Sequence, residues 1–471
     1  MSLSTTEPTR GKKGILAALM IGVFLSPINV NFTSVALPTM HDFFSVSVED
    51  LSWIGTAYFI PTVVVMPLLA ALGQRWGLRR MYILGFTLLS IGAFLAALAQ
   101  SFGWLLAARV LQGIGWSGLY PLALILIRKH FALSQQGEVL GLWESAVGFA
   151  AIVGPLLGGV LVASLGWPSI YLGIGAIAAT GILLGMVYIP EDKQAEPTDT
   201  FDWRGALGLM LTVLLFLLGM TRRSLPFLFL GTLALGGWVM MARRTAHPFV
   251  QPGMLKNKQF IAAAGAASLR MVIGIACVMS LPLLLEGVQN RSPIIVGLLL
   301  PTYSLFLFLG ARPGGRWADR AGSRPPGLFG FALMTAGVLM LVFVQHGTGV
   351  IFIGVALMIR GVGAGISQSP FAKAATAAFG EEHTNVAAGL YGMVRYSGLA
   401  IGSALVGILL DARLANYNSS GRDAAAIPAF QELFLVLVMV GVLGFILVSA
   451  IRNDDTLGEP ALILPTEAAN G

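Results

Sequence analysis

Fourteen apolar segments, each long enough to cross a lipid bilayer as a helix, constrain what this chain can fold into. Only 11% of its 471 residues are charged, whereas a soluble protein averages about 25%. So few charges cannot cover a water-facing surface, so most of the surface must face lipid. The sequence therefore predicts an all-α polytopic membrane protein. The predicted segments are 14–38, 51–73, 81–101, 103–128, 138–164, 167–189, 203–221, 225–242, 260–287, 293–311, 327–346, 349–371, 386–411 and 430–451.

Lysine and arginine predict the orientation, because loops rich in them stay in the cytoplasm. With the first residues inside, the cytoplasmic loops and tails hold 20 of the 29 basic residues, and the external loops hold 5. We therefore expect both termini in the cytoplasm and a multi-pass protein of the cytoplasmic (inner) membrane. The same asymmetry explains the net charge of +7, so nucleic acid is not an expected partner. The first segment is too long for the apolar core of a signal peptide and is predicted to remain as a helix.

Composition also excludes several classes of site. The single cysteine, Cys277, can form neither an intramolecular disulfide nor a cysteine-based metal site, and the five histidines show no metal-binding spacing. Gly361, Gly363 and Gly365 resemble a dinucleotide-binding turn, but they lie inside an apolar segment and no strand precedes them. The longest polar interruption, Glu191–Asp202, is too short for a soluble catalytic domain. We predict neither a metal nor a cofactor, and no enzymatic activity.

Two motifs occur twice along the chain. The loop motif Gly315–Arg324 has a degenerate copy at Ala70–Arg80, and Arg109 and Arg360 are each followed by closely spaced glycines. The copies are 245 residues apart for the loops and 251 for the arginines. Removing the seventh and eighth segments leaves an offset of about 205 residues, which is the length of six membrane helices with their loops.

The offset predicts two six-helix bundles with a helix pair inserted between them. Repeats of this kind are typical of transporters whose halves rock around a central site. The inserted pair is separated by a very short connection, and if it were a single re-entrant element the count would fall to twelve. The predicted divisions are an N-terminal bundle at 14–189, a cytoplasmic linker at 190–202, an inserted pair at 203–242 and a C-terminal bundle at 260–451.

These motifs resemble those of the fourteen-helix drug:proton antiporter family of the major facilitator superfamily. In segment five, Gly154 and Pro155 followed by Gly158 and Gly159 are similar to the family's antiporter signature. Further matches to the family lie at Val35–Pro38, Ser52, Trp53, Tyr58, Phe201–Trp203, His247, Pro248, Lys258 and Phe260. The resemblance implies a monomer in contact with membrane lipids that exports amphiphilic small molecules by rocker-switch alternating access, in exchange for protons.

The resemblance links Arg109 to proton transfer. Arg109 shares a helix face with Gln112 near the external end of segment four. A charge inside a membrane segment costs at least about 2.5 kcal/mol on insertion scales, so it needs a function or a partner. The alternative is a structural arginine whose guanidinium is bonded to neighbouring carbonyl groups.

The chain departs from the family at the expected partner of this arginine. Asn29 stands where family members typically carry aspartate, and asparagine cannot take a proton. Asn31 and Ser34 replace the usual threonine and asparagine, and Gln74 replaces the acid of the first loop motif. The carboxylate that would couple transport to protons must therefore lie elsewhere, or be absent.

Two other carboxylates are candidates for this role. Glu144 shares a face of segment five with Gly141 and Gly148, so it points at a close-packed helix. It is either a protonation site or half of a cytoplasmic-side ion pair, for instance with Arg75 or Arg128, that breaks when the halves rock. Glu286, at the external end of segment nine, could exchange protons with the outside or simply be solvated.

Arg270 is a cation that the family does not usually place in the middle of segment nine. It lies among small residues, which indicates the protein interior or the cavity. Arg360 and Arg395 are also mid-span but resemble structural positions of the family. Four mid-span arginines with no carboxylate at their depth predict a positive cavity, which favours substrates carrying an anionic or phosphate group.

The remaining candidates concern gating and helix packing. Asp319 at the end of segment ten is expected to cap the helix that follows or one from the other bundle. The other predicted gating residues, all in the two loop motifs, are Arg320, Arg324, Arg75 and Arg79. Gly154, Pro155, Gly158 and Gly159 are expected to bend their helix and to permit close approach of a neighbour.

Three functions therefore remain open. The first is proton-coupled export of drug-like amphiphiles. The second, favoured by Arg270 and by Asn29, is export or flipping of an anionic or lipid-like amphiphile without the standard proton coupling. The third is a non-transporting assembly or sensor protein, which the retained loop motifs and Arg109 disfavour.

Overall fold

A computed structural model describes residues 9–46, 48–191, 201–245, 248–251, 253–379, 384–417 and 426–453. Within these ranges the chain forms fourteen helices that are long and apolar enough to cross a membrane, and it forms no strand. The prediction of an all-α polytopic protein is confirmed. The helices are α1 Thr9–Phe44, α2 Val48–Trp76, α3 Leu78–Ala97, α4 Phe102–His130, α5 Leu133–Leu165, α6 Pro168–Tyr188, α7 Trp203–Thr221, α8 Leu225–Arg244, α9 Lys258–Pro282, α10 Pro293–Ala321, α11 Arg324–Val342, α12 Val350–Ala377, α13 Thr384–Tyr417 and α14 Ala426–Ser449. A 3₁₀ turn, Met254–Lys256, precedes α9, and a π-helical segment, Leu283–Val288, follows it.

The helices pack as two equivalent bundles. In the first bundle α1 packs against α5 and α6, α3 against α4 and α6, and α2 against α4. In the second bundle the corresponding pairs are α9 with α13 and α14, α11 with α12 and α14, and α10 with α12. The bundles meet where α5 packs against α10 and α2 against α13. The internal repeat predicted from the motif offsets is therefore a repeat of structure.

The inserted pair is made of two complete helices. The connection between α7 and α8 closes through a hydrogen bond from Ser224 N to the carbonyl of Gly219, 2.9 Å long, with Arg223 at a positive φ of 50°. Asp202 caps α7 by accepting from Gly205 N at 2.8 Å, and it also accepts from Phe249 N at 2.9 Å. The alternative of one re-entrant element is excluded. Of the two helices, α7 contacts α2 and α13 at the border between the bundles.

The two loop motifs lie at the same end of the molecule, which we call the loop-motif end. Gly77, between α2 and α3, has φ 94°, and Gly322, between α10 and α11, has φ 80°. These glycines are 245 residues apart, the offset of the loop motif. A side chain rarely adopts such a backbone conformation, so the motif requires glycine at both positions.

Candidate functional site

A buried ion pair joins the two bundles. Glu144 of α5 accepts from Arg395 of α13, with Nη1 to Oε1 at 2.5 Å and Nη2 to Oε2 at 3.2 Å. The glutamate side chain is 0% exposed and the arginine side chain 1%. Each residue is the twelfth of its helix, so both sit at one depth, toward the loop-motif end. We call Glu144 and Arg395 the inter-bundle pair.

Neighbouring polar groups complete the bonding of this carboxylate. The hydroxyl of Tyr120, on α4, donates to Oε1 of Glu144 at 2.9 Å, and Gln368 Nε2, on α12, donates to Oε2. The guanidinium of Arg395 also contacts the Tyr120 hydroxyl and lies 4.7 Å from the centre of its ring. A buried ion pair is tolerated only when such extra hydrogen bonds satisfy its remaining atoms.

The aromatic residues behind the carboxylate are themselves held in place. The ring of Trp143 is centred 5.1 Å from that of Tyr120, and its indole N–H donates to Leu19 O at 2.9 Å. The indole N–H of Trp116 donates to Gly22 O at 3.1 Å. Both acceptors belong to α1, so the first bundle presents Glu144 and Tyr120 from a rigid surface.

Arg270 of α9 is close enough for its charge to act on the Glu144 carboxylate. Its side chain is buried, at 4% exposure. In the part of the chain that the structure describes, its Nε atom has no hydrogen-bond acceptor. The charges of two arginines of the second bundle therefore act on one carboxylate of the first.

These contacts correct two expectations about charge. Of the two alternatives for Glu144, the structure contains an ion pair, but its partner is Arg395 of the other bundle and not Arg75 or Arg128, the examples that the sequence suggested. The expectation that no carboxylate lies at the depth of the arginines was also wrong. The twelve residues from the start of α5 to Glu144 equal those from the start of α13 to Arg395, so the repeat aligns the two charges.

Arg109 lies in a separate site, enclosed within the first bundle. Its Nη1 donates to Asn29 Oδ1 and, at 2.7 Å, to Gln112 Oε1, and its Nε donates to Ile54 O at 3.0 Å. Asn29 Nδ2 donates to the same Gln112 oxygen at 3.0 Å, and the guanidinium lies 4.6 Å from the centre of the Tyr58 ring. The predicted trio of Asn29, Arg109 and Gln112 is thus brought together, and Arg109 is bonded to neutral groups.

We expect Asn29→Leu to lower the stability of the protein, whereas Asn29→Asp should not. Leucine removes one acceptor from the buried Arg109, and an unsatisfied buried donor costs about 1–3 kcal/mol. Aspartate keeps that acceptor and adds a charge that pairs with the guanidinium. The free energy of unfolding in SDS measures the difference. Ser34→Ala is the control, because Ser34 is an exposed position on the same helix; an equal loss in that control would contradict the expectation.

Arg360 occupies the equivalent position in the second bundle. Its guanidinium lies 4.0 Å from the centre of the Tyr303 ring, and its Nη2 donates to Gly274 O at 3.4 Å. Tyr303 and Gly274 are each 245 residues beyond Tyr58 and Asn29, the residues that contact Arg109. The repeat therefore extends to the arginine sites, but Gly274 supplies a backbone acceptor where the first bundle uses a side chain.

A second set of contacts between the bundles lies at the loop-motif end. Asp319 of α10 accepts from the backbone N–H groups of Gly137 and Glu138 of α5, at 2.8 and 2.7 Å. Lys373 of α12 contacts the same carboxylate at 2.8 Å, with its side chain 1% exposed. Of the two predicted options for Asp319, the structure adopts the one in which it binds a helix of the other bundle.

Glu138 adds ion pairs to these contacts. Its Oε1 lies 2.7 Å from Arg312 Nη2 and 2.8 Å from Arg316 Nη2, both on α10. Both ion pairs join α5 to α10 beside the Asp319 contacts. We call Glu138, Arg312, Arg316, Asp319 and Lys373 the end cluster.

Glycines allow α5 and α10 to approach closely beside the end cluster. A Cβ atom on Gly315 would overlap the carbonyl group of Gly137, and one on Gly137 would overlap the Gly315 oxygen. One turn further along, a Cβ on Gly141 would lie 2.5 Å from the Ala311 oxygen. The face of α5 that carries Glu144 is thus in backbone contact with the other bundle, as the small residues predicted.

The other predicted gating residues lie outside the end cluster. Arg79 Nη2 donates to Met186 O at 2.5 Å and its Nη1 contacts Glu191 at 3.0 Å, so it binds the end of α6. Arg320 and Arg324 are exposed, and Arg75 is half-buried at the end of α2.

Two predicted coupling candidates lie away from the inter-bundle pair. Asn31 packs against Gly154, where a Cβ atom would lie 2.9 Å from the Asn31 Cβ. Glu286 lies in the π-helical segment, and its side chain is outside the described residues.

The antiporter-signature residues pack α5 against α1. Gly154 faces Asn31 and Gly158 faces Phe32, with the added Cβ of Gly158 3.3 Å from the Phe32 Cα. Gly159 faces open space, and Pro155 is exposed. The close approach therefore involves two of the four residues.

Five residues at these contacts were not predicted from the sequence: Gln368, Lys373, Glu138, Arg312 and Arg316. The last three were available from helical spacing, since Arg312 is four residues before Arg316, and Arg316 is three residues before Asp319. The signal for Arg395 was the offset of 251 residues from Glu144, which is also the offset between Arg109 and Arg360.

Comparisons with known proteins agree with this architecture. The family model of the Major Facilitator Superfamily matches residues 19–403, with a second match at 262–462. The riboflavin transporter RibZ of Clostridioides difficile (strain 630) is 26% identical over 444 residues, covering 92% of this chain and 96% of the relative. The multidrug resistance protein Stp of Mycobacterium tuberculosis (strain CDC 1551 / Oshkosh) is 26% identical over 409 residues, covering 85% and 76%.

Among solved structures, that of the proton:xylose symporter XylE matches with a TM-score of 0.71 at 13% identity, covering 95% of this chain and 97% of that one. This match shows likeness of fold alone. Together with the fourteen helices and the repeated bundles, the family match confirms the resemblance seen in the sequence motifs. The chain is a membrane transporter and not an enzyme, and it belongs to the Major Facilitator Superfamily.

Proposed function

We propose that this protein exports amphiphilic small molecules from the cytoplasm in exchange for protons, by alternating access between its two bundles. In this proposal Glu144, and not a residue at position 29, carries the proton. The observation that supports it most strongly is the inter-bundle pair, because Glu144 and Arg395 lie on opposite bundles and must separate when the bundles part.

The contacts between the bundles support alternating access. The end cluster and the glycine contacts of α5 with α10 close the loop-motif end. The asymmetry of lysine and arginine supports assigning this end, and with it both termini, to the cytoplasmic side of the inner membrane. The structure then corresponds to the state that faces outward, and opening the cytoplasmic side requires these contacts to break.

The environment of Glu144 supports its role as the proton carrier. Among the described carboxylates, it is the one whose side chain is fully buried. The groups that contact it are Tyr120 on α4, Gln368 on α12 and Arg395 on α13. Arg270 on α9 and Tyr391 and Tyr396 on α13 are near enough to interact with it electrostatically. Separating an unprotonated Glu144 from these partners would leave charges unpaired at depth, which is costly.

The proton step follows from this cost. In the outward-facing state a proton from outside adds to one carboxylate oxygen, an O–H bond forms, and the ion pair with Arg395 is lost. The bundles then part at the cytoplasmic end. There the O–H bond breaks, the proton passes to the cytoplasm, and the ionised Glu144 can pair with Arg395 again when the end closes around the substrate.

Two relatives support the substrate class. One is named a multidrug resistance protein and the other a riboflavin transporter, and both names indicate small organic molecules. A binding site for such molecules needs only a few polar side chains, because apolar residues line most of a small-molecule site.

The test is substrate-driven pH change in proteoliposomes that contain the full-length protein. N-phenyl-1-naphthylamine, a neutral amphiphile, serves as the first probe. We expect its movement to be accompanied by opposite movement of protons in the native protein. In Glu144→Gln, which cannot release a proton, we expect proton movement to fall to the level of empty liposomes.

Asn29→Asp separates the two possible proton sites. If Glu144 is the carrier, Asn29→Asp combined with Glu144→Gln remains uncoupled. Recovery of proton movement in the double variant, or its persistence in Glu144→Gln alone, would show that Glu144 is not the carrier.

A further inference from the structure

We propose that Arg270, Arg395 and Gln368 form a binding site for an anionic group of the substrate, and that Glu144 occupies this site while the loop-motif end is closed. The anionic group is a carboxylate, a sulfonate or a phosphate on an amphiphilic molecule. The inference rests on the proposed function, because it requires Glu144 to leave the site when the bundles separate.

The division of these groups between the bundles carries the inference. Arg270, Gln368 and Arg395 lie on α9, α12 and α13, all in the second bundle. Glu144 lies on α5, in the first bundle, and it accepts from Arg395 through both carboxylate oxygens and from Gln368 through one. When the bundles part, the donors stay together and lose the carboxylate that they bind.

Arg395 and Glu144 interact as a guanidinium binds a carboxylate ligand. Nη1 and Nη2 of the arginine each donate to a different oxygen of Glu144, at 2.5 and 3.2 Å. This two-point geometry matches carboxylate, sulfonate and phosphate groups alike, because each presents paired oxygens to the planar fork. A substrate anion can therefore replace Glu144 without a change in the donors.

Two arginines lie near the single carboxylate of Glu144, so one positive charge is not balanced by it. Arg270 is buried at 4% exposure, and its charge acts on the same carboxylate that Arg395 binds through hydrogen bonds. Within the described ranges its Nε has no acceptor, and the same is true of the Nε of Arg395. Two buried cations with free donor atoms and one carboxylate have capacity for a further negative charge.

This arrangement also provides for release of the substrate. In the state that faces the cytoplasm, the donors are free and bind the anionic group. When the cytoplasmic end closes, Glu144 returns to the same donors and competes with the substrate, which leaves to the outside. Glu144 thus acts as an internal competitor whose position depends on the conformation of the protein.

A matched pair of probes tests the site. 1-Anilinonaphthalene-8-sulfonate carries a sulfonate on the aromatic scaffold of N-phenyl-1-naphthylamine, which is neutral. Binding of each probe to the purified full-length protein in lipid nanodiscs is measured by fluorescence, with empty nanodiscs as the background. The variants are Arg270→Gln, Arg270→Lys and Glu144→Gln, and Arg243→Gln is the control, because it removes an exposed positive charge from the end of α8.

We expect Arg270→Gln to weaken binding of the sulfonate probe about tenfold or more, which corresponds to one charge-assisted contact. Binding of the neutral probe should change less than about twofold. Arg270→Lys should retain part of the affinity, and Arg243→Gln all of it. Glu144→Gln should bind the sulfonate probe more tightly than the native protein, because its side chain no longer competes as an anion.

Two outcomes would overturn the inference. One is unchanged binding of the sulfonate probe in Arg270→Gln, and the other is an equal loss for both probes, which would indicate a general structural effect. Failure of the proposed function has a different signature. In that case the native protein moves neither probe across proteoliposomes, whereas selective loss of sulfonate binding in Arg270→Gln would still support the site.

Discussion

An Arg395→Met variant is expected to lose the closed state at the loop-motif end, with the ratio of closed to open molecules falling at least about 100-fold. Methionine has a similar length but no charge, so it leaves the Glu144 carboxylate buried without the cation that hydrogen-bonds to it. Removing one partner of a buried ion pair costs about 3–5 kcal/mol. When the bundles separate, water solvates Glu144 and the cost disappears. The substitution therefore destabilises the closed state relative to the open one.

Spin labels placed across the loop-motif end measure this change. Gln135→Cys at the start of α5 and Ser449→Cys at the end of α14 are exposed positions on different bundles, and Cys277→Ala removes the native thiol. The label-to-label distance distribution should show one short distance in the native background. In Arg395→Met it should shift to a longer distance.

The double variant Arg395→Met with Glu144→Gln is the control for this interpretation. Without the carboxylate there is no unpaired negative charge to bury, so the short distance should return. If the double variant is as open as the single one, the change comes from lost packing and the ion pair does not hold the end closed. If Arg395→Met remains closed, the inter-bundle pair contributes little to closure.

A Gly315→Val variant is expected to abolish transport, with residual activity below about 1% of native, because the loop-motif end can no longer close. A Cβ atom at this position would overlap the backbone carbonyl of Gly137. Backbone on both sides of the contact cannot rotate away as a side chain can, so α5 and α10 must move apart. That movement also separates Asp319 from the α5 amide groups that it binds.

The matched control for this variant is Gly297→Val, on the same helix. No atom lies within 4 Å of a Cβ built on Gly297, so the same substitution should leave transport near the native level. The spin-label pair should report the open state in Gly315→Val, and Glu144→Gln should not restore closure. Normal transport by Gly315→Val would show that contact between Gly137 and Gly315 is not required in the cycle.

The fold followed from the apolar segments of the sequence and from the offset of its repeated motifs. The apolar segments predicted the number and order of the helices, because a backbone in lipid must satisfy its own hydrogen bonds and a helix does this within one segment. Their bounds were less accurate: α10 runs to Ala321, ten residues beyond the predicted segment, because Arg312, Arg316 and Asp319 lie past the apolar stretch and bind the other bundle. The hydrogen-bond and ion-pair partners of polar residues at a helix end cannot be found from the hydrophobicity of the sequence.

The site was only partly predictable. Arg109 and Gln112 share one helix face, and the family resemblance added Asn29, so their association could be anticipated. The partner of Glu144 was not predicted, because the repeat offset of 251 residues that links it to Arg395 does not by itself exclude the other cations. Choosing among them requires knowing that α5 and α13 place these residues at one depth on facing bundles.

The sequence by itself determined that the chain is a membrane protein of repeated bundles. Apolar segments of this length form helices in a bilayer, because each must satisfy its own backbone hydrogen bonds there, and the motif offset shows which helices repeat. The sequence also determined that position 29 cannot carry a proton. Only the tertiary structure decided that Glu144 is bound by Arg395, Gln368 and Tyr120 at the boundary of the bundles. The physical reason is that the free-energy cost of burying a charge depends on the opposite charge beside it. Helix packing decides which opposite charge lies there.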